Sequence, residues 1–504
     1  LADAFVDYIA RCSFLLQQGE PVTDVCYYYG DRGFNFVMEK SIDPELGPGY
    51  DYTVTSSEAL LTRAAVKNGR IVFAPDQEGV ALLVLPPGSE LTPEVAEKLE
   101  SLIREGAIVV GTKPQHSPSL TGFPSCDEKV KAIGDRIWGE NPPPKGERSY
   151  GKGKVFWGQP LREVLQRLEI PPAVVCDAAA DASVDFVHRR TASAEIYFFW
   201  NRLPRWEHLL VRLRAKEKLP EIWNPVSGQM TPALAYRKTQ QGLEMPLDLP
   251  PRGSLFVVLS DTTAAQSAGP GLDPVVSVTR DGRELVFAPA SGEAPVSVQP
   301  NGQGLPLLSA AESGTYKLRF QSGRELAISV EAPQVLQVPG PWQVEFPPGW
   351  GAPERITLER LISWTDHPNP GVKYFSGVAT YRTTFRYEPV SEPRRVVLNL
   401  GEIRFVGEIA LNGKVLGILW TPPYELDVTG VIKEGENELV VRVANVWSNR
   451  LTGDAREPQF GTFTRTNIRN ALAWRVPWKD APLHPSGLLG PVTVKTVKLP
   501  TQTP

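Results

Sequence analysis

Two short stretches hold the side chains best suited to chemistry on a ligand. "SWTDHPNPGVKYFSG" places Trp364, Asp366 and His367 ahead of a strand. "ANVWSNRLTGD" places Asn445, Trp447, Asn449, Arg450 and Asp454 at the end of another. An indole face covers the C–H side of a polar ring, while amide, carboxylate and guanidinium groups bond hydroxyls in pairs. That combination suits a sugar. The competing reading is that these residues only hold irregular loop backbone in place. Trp364, Asp366, His367, Trp447, Asn449 and Arg450 are taken as the candidate binding residues.

The remaining reactive types are sparse. Cys12, Cys26, Cys126 and Cys176 are widely spaced with no C-x-x-C, which argues against a zinc site. His116, His188, His208, His367 and His484 show no metal-ligand spacing. His188, in "VHRRT", reads as a strand-face residue. Cys26 falls inside a strand and reads as a buried structural thiol. The strand ends "VLPPG" and "VVGTKP" offer no Cys or Ser in a nucleophile elbow. "GKGK" at 151–154 lacks the Walker spacing and reads as a hairpin or loop. No catalytic residue is assigned, no cofactor is required, and a structural calcium ion is left open.

The elements that must carry these residues fall into blocks. Residues 23–170 alternate strand and helix: "DVCYYYG", "GRIVFA", "VALLVLPP", "AIVVGT" and "GKVFWG" read as strands. "SSEALLTRA", "LTPEVAEKLESLIREG", "CDEKVKAIGDRIWG" and "PLREVLQRL" read as helices. The expected fold there is a flavodoxin-like α/β layer with a mostly parallel sheet. Residues 171–335 hold short turn-bounded strands, expected to form one β-sandwich. Residues 336–504 form a second β domain. Within it "EIALNGKVLGIL" is a hairpin: Asn412-Gly413 both tolerate positive φ, and Pro422-Pro423 then breaks the ladder. The fold class is thus multidomain, α/β plus all-β.

Composition bounds the partners. The 504 residues suit about three domains of roughly 150 residues. A net charge of −4 with no basic stripe gives no footprint for nucleic acid. No apolar run approaches the length of about 18 residues that spans a bilayer. The opening "DAFVDYIARCSFLLQQG" reads as a helix already under way, so residues 1–22 are expected to be the end of something larger.

"YFSGVATYRTTF", "ALNGKVLGILWTPPYELDVTG" and "GENELVVRVAN" resemble the galactose-binding-like jelly roll of family 2-type glycoside hydrolases. "GYDYTVTSSEALL", "HRRTASAEIYFFWN", "EIWNPVSGQMTPA", "VWSNRLTGD" and the opening helix are similar to the C-terminal half of glycoside hydrolase family 106, the α-L-rhamnosidase-like enzymes. The resemblance implies a sugar-binding-type jelly roll over 336–504 and a missing upstream (β/α)8 barrel whose last helix is 1–22. It implies an inverting parent enzyme that releases L-rhamnose from plant-type polysaccharides or glycosides, with its carboxylates in that barrel. The implied partners are a rhamnose-containing glycan and the barrel itself, with no nucleic acid and no membrane. For this chain alone, activity is left open. The compartment is not encoded in these residues; the resemblance implies a periplasmic or secreted bacterial parent. The competing readings are a free-standing carbohydrate-binding or scaffold protein, and a fragment of another family 2-type glycosidase such as a β-galactosidase.

Overall fold

The computed structural model describes residues 1–31, 44–88, 90–215, 218–240, 242–261, 273–300, 306–389, 394–471 and 475–499. In the first block five parallel strands stand in the order Tyr52–Thr55, Val25–Tyr28, Leu82–Val84, Ile108–Val110, Gly153–Trp157. Gly146–Tyr150 closes the far edge antiparallel to Gly153–Trp157, so "GKGK" is the hairpin turn and its first residues. Every residue of Val25–Tyr28 and Leu82–Val84 is buried, as a parallel sheet covered on both faces requires. Helices Pro93–Glu105 and Ser125–Trp138 cover one face through Leu99, Ile103, Val130 and Ile137. Leu161–Arg167 covers the other through Leu161, Val164 and Leu165. Pro93 sits in the first turn of its helix, and Gly106, at φ +129°, ends it.

Two elements differ from the sequence reading. Tyr52–Thr55 is an edge strand that the pattern did not mark. "GRIVFA" stays outside the parallel sheet: Arg70–Val72 pairs with Ala65–Lys67 in its own hairpin. Three-residue strands carry too little period for alternation to assign their partners.

The single sandwich expected over 171–335 is two β units. The first stacks a six-stranded sheet, including Val184–Arg190, Ala194–Asn201 and Ser254–Ser260, on a sheet built around Glu207–Leu213 and Gly242–Leu249. Its core holds Tyr197, Leu209 and Val257. The second unit, from Val275 to Val330, has its own cluster around Val278, Tyr316 and Phe320, which also takes in Leu210 and Ala235 of the first. The last domain begins at Gln334, earlier than the expected 336, because Gln334–Gln337 pairs with Thr493–Lys498.

That last domain is an antiparallel sandwich of a six-stranded and a four-stranded sheet. Asn412 and Gly413 sit at φ +52° and +79° in a two-residue turn that pairs Leu411 with Lys414. Pro422-Pro423 lies where the chain leaves that sheet for Glu425–Asp427 in the other. The long strands Val378–Tyr387 and Gly435–Ala444 pair along their whole length and alternate buried with exposed or half-buried residues.

Helix Asp3–Leu16 lies on the outer face of the first sandwich, where Cys12 packs with Ile196, Phe256 and Val258. Phe5 and Tyr8 each meet Trp420 of the last domain edge-on, at ring centroid distances of 5.1 Å. Phe5, Val6, Ile9 and Phe14 remain between 45% and 65% exposed on this helix.

Glu100 gives the α/β domain a pH signature. It is buried, and it accepts bonds from Arg136 Nε at 2.9 Å, Arg136 Nη2 at 2.7 Å and the Tyr150 hydroxyl at 2.6 Å. The Arg136 bond leads in holding its carboxyl down to about 2, from 4.5. A depressed folded value stabilises the fold above the unfolded pKa, and that stability is lost as pH falls through the folded one. Urea unfolding should therefore weaken by about 2–3 kcal/mol between about pH 5 and pH 2 on account of this group. Glu100→Gln should remove that part of the slope; an unchanged slope in the variant would contradict the assignment.

Candidate functional site

The two candidate loops converge at one end of the last sandwich. Ser486 joins them. Its backbone N–H donates to Ser363 Oγ at 3.0 Å, beside Trp364. Its Oγ accepts from Asn449 Nδ2 at 2.9 Å and Asn445 Nδ2 at 3.1 Å. Asn449 also donates to the His484 carbonyl at 2.7 Å and accepts from the His484 N–H at 2.9 Å. Asn369 caps the short helix Pro370–Lys373 by accepting from Gly371 and Val372.

Burial divides the six candidates. Trp364 is 1% exposed. Its ring lies parallel to Tyr381 at 6.3 Å and edge-on to Phe346 and Phe375. Gly487 lets it sit there, since a Cβ would come within 2.8 Å of Trp364 Nε1. Its ring faces therefore meet the core, and the expectation that they stack on a sugar is corrected. Asn449, at 0% exposed, is spent on the loop network above. Arg450 is buried against Asp454 at 2.8 Å. Asp454 Oδ2 in turn accepts from the backbone of Phe463 and Thr464, so this pair fastens the 458–470 segment. A paired, hydrogen-bonded buried charge of this kind acts on backbone rather than ligand.

Asp366, His367 and Trp447 are the candidates left facing solvent. Asp366 and Trp447 are exposed. His367 is half-buried, and its Nδ1 accepts from the Asn369 N–H at 3.1 Å. Burial lowers its pKa from 6.5, so the ring is neutral at pH 7 and Nδ1 is an acceptor. The arrangement can present one indole, one carboxylate and one imidazole to a ligand or to a neighbouring domain. Ser486, the residue that sets the loop geometry, gave no sequence signal, because a lone serine in "HPSGLLG" looks like any turn serine.

The acid chemistry of a glycosidase needs a carboxyl held protonated beside a second, ionised one. Among the described residues, Glu100, Asp135, Asp181, Glu195, Glu284 and Asp427 are the carboxyls with displaced pKa values, and all move down. Among the described residues no group of three His, Cys, Asp or Glu could hold a metal ion. Burial pushes the Cys26 thiol up to about 12, which makes it unreactive in its strand. Among the described residues no helix is long and apolar enough to cross a membrane.

Known proteins match two stretches of the chain. Residues 1–238 match the family model described as alpha-L-rhamnosidase. Residues 373–487 match the glycosyl hydrolase 2 galactose-binding domain-like model. Residues 1–238 and 373–487 therefore resemble glycoside hydrolase modules. A solved rhamnosidase from Novosphingobium sp. PP1Y is 30% identical, with a TM-score of 0.69 over 98% of this chain and 41% of that one. A putative beta-glucuronidase of Formosa agariphila is 26% identical over 98% of this chain and 57% of its own length. The chain thus spans about half the length of the relatives it matches.

Burial also separates the two tryptophans energetically. Trp364→Ala should cost about 3–5 kcal/mol of stability in the last domain. Trp447→Ala should stay within about 0.5 kcal/mol, as a surface change. Thermal unfolding of both variants checks this; equal losses would contradict the division.

Proposed function

We propose that these modules are the accessory C-terminal portion of an inverting α-L-rhamnosidase that releases L-rhamnose from plant-type polysaccharides or glycosides. The observation that carries the reading is the rhamnosidase likeness over 98% of this chain at a TM-score of 0.69, joined to the family match over 1–238. The flavodoxin-like reading of the α/β domain is supported by its strand order, second-first-third-fourth-fifth. We read the chain as a terminal helix over 1–22, an α/β domain over 23–170, β units over 171–335 and a jelly roll over 336–504, a reading that the separate sheets support.

On this reading the general acid and the water-activating carboxylate, about 6.5–9.5 Å apart, belong to a (β/α)8 barrel of the parent. The downward pKa displacement of this chain's shifted carboxyls supports that assignment. The exposed apolar side chains of Asp3–Leu16, Phe5, Val6, Ile9 and Phe14, are ones that such a barrel would cover in part. Asp366, His367 and Trp447 stand at the rim, toward sugar or barrel. The chemistry needs no cofactor. The parent's compartment is read as periplasmic or secreted.

A second reading follows from the relative named a putative beta-glucuronidase: the parent acts on a β-D-glucuronide. One pair of assays decides. The full-length parent should hydrolyse an aryl α-L-rhamnoside far faster than an aryl β-D-glucuronide, with inversion seen by proton NMR of the first-formed sugar. Residues 1–504 purified alone should turn over neither. Preferred cleavage of the glucuronide, or turnover by 1–504 that a point mutation within it abolishes, would overturn the first reading.

A further inference from the structure

A cavity of about 490 Å3 opens between the α/β domain and the first sandwich, far in sequence from the loops described above. Its floor is apolar: Leu46, Val174, Phe186 and Phe199 are all buried. Tyr52 forms a half-buried aromatic wall, held edge-on by Tyr27 at 5.3 Å. The opposite wall is Gly47-Pro48-Gly49. Both glycines have positive φ, +80° and +88°, and a Cβ on Gly49 would strike the Val174 carbonyl at 2.4 Å. Glycine is required there because the loop is drawn tight against the sandwich.

The mouth is polar. Arg162 is exposed, its Nη1 reaching toward the Pro48 carbonyl at 3.4 Å, and Glu45 is exposed beside it. Asp185 lies on the wall, already paired with Arg202. Arg162 and Glu45 bring one formal charge of each sign to the rim. Just past the wall residue Cys176, Glu207 is fully buried, and its Oε2 has no hydrogen-bond partner among the described residues. Cys176 is an exposed thiol on the wall, and desolvation, then Asp177 and Glu207, push its pKa up to about 11.

We propose that this cavity is a non-catalytic binding site for a neutral 6-deoxyhexose, its methyl group on the Phe186–Phe199 floor, its ring against Tyr52 and its hydroxyls toward Arg162 and Glu45. The size admits one or two sugar rings. The preference for a deoxy sugar comes from the floor, because a hydroxyl placed there would lose its water without gaining a partner. The choice of L-rhamnose as that sugar rests on the proposed function.

Titration calorimetry of residues 1–504 with L-rhamnose and with L-mannose, its 6-hydroxy counterpart, tests the site. Saturable L-rhamnose binding is expected, about tenfold tighter than L-mannose. Arg162→Ala should weaken it by about tenfold, the loss of a charged hydrogen bond. Val184→Trp, which fills the cavity, should abolish it, and Leu120→Ala on the exposed α/β surface should leave it unchanged. Circular dichroism melting confirms that each variant folds; Arg162 is exposed, so its variant keeps the test open if Val184→Trp does not fold. No saturable binding, equal binding of the two sugars, or binding unaffected by Arg162→Ala would overturn the proposal. None of these results bears on rhamnoside turnover by the parent, which is a separate readout.

Discussion

Asp24 is the point on which the domain arrangement hangs. Its side chain is 9% exposed, with Oδ1 at 3.1 Å from Arg70 Nη2 and Oδ2 at 2.9 Å from Arg214 Nη2. Arg70 belongs to the α/β domain and Arg214 follows a strand of the first sandwich. A carboxylate this deep is stable only while both partners stay in place, and removing one leaves a charge that costs about 3–5 kcal/mol. The Asp24 carbonyl also accepts from Ala81 and Leu82, so the same residue sets the start of the parallel sheet. Just upstream, Gly19 lies so close to the Arg190 carbonyl that a Cβ would overlap it at 1.9 Å. Arg189 bonds the carbonyls of Gln18 and Gly19, and Glu20–Pro21 pairs with Arg189 and Arg190. The chain is therefore fastened to the sandwich before it enters the α/β sheet.

A second ionic chain works on the same side of the sandwich. His188 is fully buried, parallel to Tyr197 at 3.9 Å, and bonded to Glu195 at 2.7 Å. Glu195 also accepts from Arg190, which reaches Glu78 of the α/β domain at 2.6 Å. The acidic and basic groups here are consumed in joining domains. Burial works to raise the Glu195 pKa, but its His188 and Arg190 partners outweigh that and lower it, the opposite of what a general acid requires.

In the last domain, satisfied polar groups rather than exposed ones organise the loops. Ser486, Asn445 and Asn449 bond one another and the backbone, and Arg450 with Asp454 ties down a further segment. Networks of this kind rigidify a loop end when every member is paired. They leave a fixed rim on which Trp447, Asp366 and His367 stand out, a geometry suited to contact with a neighbouring surface or glycan.

Local rules settled much of this protein from sequence. Asn412-Gly413 is the tight hairpin turn its φ tolerance predicts, Gly106 ends the helix that Pro93 begins, and the apolar strand at Cys26 is buried. The two candidate loops were picked out by residue type, and both lie at one end of one sandwich. What residue type could not decide was direction. Trp364 and Trp447 sit in similar polar stretches, yet one is core and the other is 53% exposed. That difference is made by Tyr381, Phe375 and Gly487, residues distant in sequence that meet only when the sheets close. The division of 171–335 into two cores, the partner of Arg70–Val72 and the cavity between domains were decided the same way. Periodicity is a property of one segment, whereas burial is a property of all the segments that pack against it.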